Sequence, residues 1–91
     1  MKTKSILVTA SNNEEFLDFV TNYLKSFKIE YVVFYNSERN EYDIYITKDV
    51  TNRTKTDYEI IRIFTIETLK DLDDKLIELV RSVRGELGYD H

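Results

Sequence analysis

Two carboxylates on successive strand-like segments are the residues of this chain whose type and spacing suit chemistry: Asp43 in Glu41-Tyr42-Asp43-Ile44-Tyr45-Ile46, and Glu59 in Tyr58-Glu59-Ile60-Ile61-Arg62. Side by side, they would hold a hard divalent cation through oxygen and orient a water molecule on it. Other chemistries lack their residues. The chain has no cysteine, and its single histidine, His91, stands at the end of the sequence. A thiolate nucleophile and a Cys/His zinc site are thereby excluded, and a Ser-His-Asp relay would hang on one terminal residue.

The elements that must position these acids can be read from patterning. Lys2 to Ala10 carries the run Ile6-Leu7-Val8 without helical spacing, which predicts a strand buried on both faces. Ser11-Asn12-Asn13-Glu14 has the form of a capping box. After it, Phe16, Phe19, Val20, Tyr23, Leu24 and Phe27 recur at helical intervals as one apolar stripe. Ile29 to Asn36 and Glu41 to Thr47 are rich in Tyr, Val and Ile on either side of Ser37-Glu38-Arg39-Asn40, the composition of a hairpin. With those four residues unpaired, Asn36 faces Glu41 and Tyr35 faces Tyr42. Tyr31, Val33 and Tyr35 then share a sheet face with Tyr42, Ile44 and Ile46, and Val32 and Phe34 share the other with Asp43 and Tyr45.

Lys48 to Thr56 is polar and reads as a loop, whose Lys48, Arg53 and Lys55 form a small basic cluster. Its Asn52-Arg53-Thr54 sequon carries no weight without a secretory signal. Asp57 to Thr65 predicts a further strand, and Thr65 a cap for a helix from Ile66 to about Gly88. Leu69, Leu72, Leu76, Leu79 and Val83 keep heptad spacing along it, widened by Ile77, Val80 and Leu87. The expected fold is α+β in the order β-α-β-β-β-α, a small, mostly antiparallel sheet with two helices packed on it. The first β-α-β unit suits a right-handed crossover.

Helix, three strands, helix is also the core order of the PD-(D/E)xK nuclease superfamily, which this part of the chain resembles. The resemblance puts Asp43 in the place of the first metal-binding carboxylate and Glu59 in that of the second, with Mg²⁺ between them. The position of the lysine that polarises water is Ile61, a departure that leaves at most a metal-holding pair. The helix, three strands, helix order is similar as well to double-stranded-RNA-binding domains. Those rely on basic residues at the start of the last helix, where this chain has Lys70-Asp71-Leu72-Asp73-Asp74-Lys75, so phosphate would be repelled.

Composition narrows the partners. The 91 residues, 42% of them hydrophobic, suit one domain over residues 1–91 with one core. A net charge of -4 argues against a nucleic-acid partner. No apolar run approaches the roughly 20 residues of a membrane span, and the Lys2 and Lys4 region is too polar for a signal segment, so a cytoplasmic protein is expected. Ile, Lys, Asn and Tyr are abundant, as in small proteins of viruses and mobile elements with AT-rich genomes.

The main expectation is therefore a small interaction domain without catalysis or cofactor, whose partner is a protein and in the simplest case a second copy of itself. If both helices pack on one face, Val32, Phe34 and Tyr45 form an apolar island on the other, flanked by Glu30, Glu41 and Asp43. A metal-dependent nuclease-like site at Asp43 and Glu59 is the second reading. A third, imitation of nucleic acid by Asp71, Asp73, Asp74 and Glu78, is weakened by interspersed Lys70, Lys75 and Arg81.

Overall fold

The computed structural model describes residues 2–48 and 57–89. The chain runs β1 (Thr3–Ser11), α1 (Glu14–Ser26), β2 (Tyr31–Asn36), β3 (Glu41–Ile46), β4 (Tyr58–Ile66) and α2 (Leu69–Glu86), the expected α+β order. The strands lie side by side as β2-β3-β1-β4. Two pairings are antiparallel, β2 with β3 and β3 with β1, whereas β4 runs parallel to β1. The sheet is therefore mixed rather than mostly antiparallel, because β4 takes the edge of β1 opposite β3 and runs against the direction of β3.

Burial on both faces explains why β1 is central. Ile6, Leu7 and Val8 are all buried, so along this central run neither side of the strand is open to solvent. The hairpin register is the expected one, with Asn36 opposite Glu41 and Tyr35 opposite Tyr42. Its turn is closed by the Asn36 side-chain carbonyl, which accepts from the N–H groups of Glu38 and Arg39 at 3.1 and 3.2 Å.

Both helices pack on one face of this sheet. Ile6, Val8, Ile44, Ile46, Phe64 and Ile66 meet Val20 and Leu24 of α1 and Leu72, Leu76, Leu79, Val80 and Val83 of α2 in one cluster. Leu72, Leu76, Leu79 and Val83 of the α2 heptad are thus used on the chain's own sheet. The helix starts differ from the capping pattern. Asn13, not Ser11, caps α1, its side-chain oxygen accepting from the Glu15 N–H at 2.8 Å. Ser11 is the last residue of β1, opposite Glu41. Thr68, not Thr65, precedes α2, because pairing with β1 holds the strand as far as Ile66 opposite Ala10.

Beyond the α1 C-cap, Phe27, lies Lys28, in the left-handed region at φ 58. A side chain there is strained, and glycine is not. Lys28→Gly is expected to stabilise the chain by about 0.5–1 kcal/mol in urea unfolding, since exposed Lys28 gives up no buried contact.

Tyr89 ties the end of α2 to the sheet. Its hydroxyl donates to the Thr47 carbonyl at 2.7 Å and accepts from the Glu30 N–H at 3.3 Å. Burial raises the hydroxyl above its ordinary pKa of 10.0, helped by the nearby Glu30 carboxylate and opposed by the Glu30 N–H. With the folded value above the unfolded one, its contribution is complete below the unfolded pKa and lost as pH rises through the folded one. Tyr89→Phe is expected to cost about 1 kcal/mol near neutral pH. That difference should shrink when urea unfolding is repeated above about pH 10.

Candidate functional site on the second sheet face

Among the described residues, neither helix covers the face opposite this core. The registers put an apolar row across all four strands of that face: Val32 is opposite Tyr45, Tyr45 opposite Leu7, and Leu7 opposite Ile63. Phe34 meets the Tyr45 ring edge-on at 5.6 Å, and Tyr58 stacks on the other side of Tyr45 at 5.2 Å. Leu7, Tyr45 and Tyr58 form a second buried cluster, with Val32 and Phe34 packed against it.

A bulge in β4 builds one end of this row. Ser5 pairs with Ile60 and Ile6 with Arg62, so Ile61 is the extra residue. The bulge changes the alternation. Before it, Tyr58 and Ile60 point to the second face; after it, Ile63 and Thr65 do, while Arg62, Phe64 and Ile66 turn to the helix side. Arg62 lies over the Phe64 ring at 5.3 Å and pairs with Glu86 of α2 at 3.2 Å.

The three expected contact residues thus share the predicted face, but not equally. Tyr45 is only 5% exposed, held between Phe34 and Tyr58, whereas Val32 and Phe34 are half-buried. The apolar side chains that remain open on this face are Ile60 at 42% and Ile63 at 59% exposure. Patterning missed them because it could not place the bulge; a strand with isoleucine at Ile60, Ile61 and Ile63 was the available signal.

A polar row runs beside the apolar one. Phe34 is opposite Asp43, Asp43 opposite Thr9, and Thr9 opposite Thr65, whose hydroxyl accepts from the Thr9 hydroxyl at 3.2 Å. Asp43 is buried and accepts from the Asn36 amide at 3.5 Å. On the strands of this face, Glu41 and Asp43 are the charged residues, both toward the hairpin end. Among the described strand residues, the half that carries Leu7, Ile60 and Ile63 has none.

Asp43 and Glu59 do not meet. Asp43 is opposite Thr9 of β1 and Glu59 opposite Lys4, an odd number of residues away and so on the other face. Their rows are separated by roughly 16 Å along the strand. No cation sits between carboxylates so placed, and among the described residues no group of three or more His, Cys, Asp and Glu converges to hold a metal. Of the basic cluster, Arg53 and Lys55 lie outside the described residues, as does the sequon, while Lys48 donates to the Gly88 carbonyl at 3.5 Å.

Among the described residues no helix is long and apolar enough to cross a membrane. No family model matches the chain, and comparison with curated proteins and with solved structures gives no significant match.

Proposed function

We propose that this chain is a protein-interaction domain that forms a homodimer through the second face of its sheet. The observation that carries this reading is the exposure of Ile60 and Ile63 at the β4 end of a continuous apolar row. A chain of net charge -4 repels a second copy over most of its surface. It does so least where the described strands carry no charge, and that is the half-face bearing these isoleucines. The bulge denies β4 a regular ladder at its free edge, which disfavours edge-to-edge pairing through that strand.

A twofold interface uses each contact twice. Burying the open part of each isoleucine contributes about 2 kcal/mol, so four side chains oppose an association cost of similar size. Self-association is therefore concentration-dependent. A domain of this kind suits an accessory or regulatory protein acting in the cytoplasm, and the composition points to a virus or mobile element as its source. Light scattering after size exclusion, over a concentration series, should give a mass approaching twice 10.9 kDa. A mass of 10.9 kDa at every concentration would remove the reading.

A further inference from the structure

A separate surface lies on the helix side. Phe19 of α1 and Ile77 of α2 belong to the apolar stripes of their helices, yet they are 55% and 48% exposed. Between them runs an open groove of about 650 Å³, floored by Tyr23, Leu72 and Leu76. Among the described residues, the one charged side chain lining it is acidic. It is Asp73, on the α2 wall, while Glu15 and Asp18 line an adjoining cavity that shares Phe19 and Asn22 with the groove. Among the described residues no basic side chain lines either cavity.

We infer that this groove receives a basic amphipathic helix from a partner protein. The apolar floor and the Phe19 and Ile77 rims offer burial to one face of such a helix, and the three carboxylates offer ion pairs to lysine or arginine beside that face. From Glu15 to Tyr23 the α1 side of the groove and the adjoining cavity together spans roughly 12 Å, about two helical turns, which matches anchors at positions i, i+3 or i+4, and i+7. A second copy of this acidic chain, with its own carboxylates at the same place, is a poor occupant. The inference uses residues remote from the proposed dimer face and stands or falls separately from it.

The test is selection of a phage-displayed library of random peptides on the intact chain, repeated on the Phe19→Ser/Ile77→Ser double variant. Both positions are exposed, and circular dichroism would verify that the variant folds. The enriched peptides should carry net positive charge with helical apolar spacing, and should bind the double variant at least about tenfold more weakly. A Glu15→Lys/Asp73→Lys variant should turn the selection toward acidic peptides. Enrichment of neutral or acidic peptides on the parent, equal binding to the double variant, or no enrichment would each overturn the inference. So would a drop in the parent's solution mass on introducing Phe19→Ser/Ile77→Ser, which would make a second copy the occupant.

Discussion

Ile63→Asp should sediment as a single chain at concentrations where the parent is dimeric, and at dilutions where both are single chains the two should unfold at nearly the same midpoint. Ile63 is 59% exposed on an edge strand, so the isolated fold loses little when it becomes polar. Lower strand propensity accounts for up to about 1 kcal/mol of stability. The interface loses far more. Each protomer forfeits the burial of one isoleucine and brings a carboxylate to a surface that would have to desolvate it. Counted twice across a twofold axis, this amounts to at least about 4 kcal/mol, a roughly thousandfold rise in the dimer dissociation constant. A variant that stays dimeric would place the contact elsewhere.

Tyr45→Ala should do the reverse, destabilising each chain by about 3–4 kcal/mol in urea unfolding. Tyr45 lies in the same transverse row as Ile63, with Leu7 between them. It differs in being packed on both flanks, against Phe34 at 5.6 Å and Tyr58 at 5.2 Å. Truncation leaves a hole under two aromatic rings, and little of that loss can be recovered by collapse within a sheet. Tyr45 thus shapes the face without presenting itself to a partner. A loss under about 1 kcal/mol would show that the aromatic row is not a packed unit.

This contrast marks where the fold was legible. The unbroken run Ile6-Leu7-Val8 announces a strand buried on both faces, and β1 is central for that reason. The polar loop between two Tyr/Val/Ile runs sets the hairpin register, and with it the shared face of Val32, Phe34 and Tyr45. Patterning cannot say how far a neighbouring ring reaches. Tyr45 is covered by Tyr58, a residue distant in sequence that is brought near through parallel pairing of β4 with β1.

Strict alternation through β4 would also put Tyr58 and Phe64 on one face. The bulge at Ile61 separates them, because one extra residue inverts every later side chain. The same limit governs the paired acids. Asp43 and Glu59 are each recognisable on a strand, but their distance depends on β1 lying between β3 and β4, an order no local pattern encodes. Helix stripes are blurred more mildly. Phe16, Val20 and Leu24 are buried as the spacing implies, while Phe19 falls at the stripe's margin, where the gap between α1 and α2 leaves it open.

The most direct measurement of the dimer face is an isotope-filtered NOE experiment on a sample mixed from ¹³C-labelled and unlabelled chains. Intermolecular cross-peaks should be confined to the methyl groups of Ile60 and Ile63 and their neighbours on the second sheet face, among them Val32 and the Phe34 ring. Cross-peaks from Phe19 and Ile77 instead, or none at a concentration where the mass is that of two chains, would contradict a dimer built on this face.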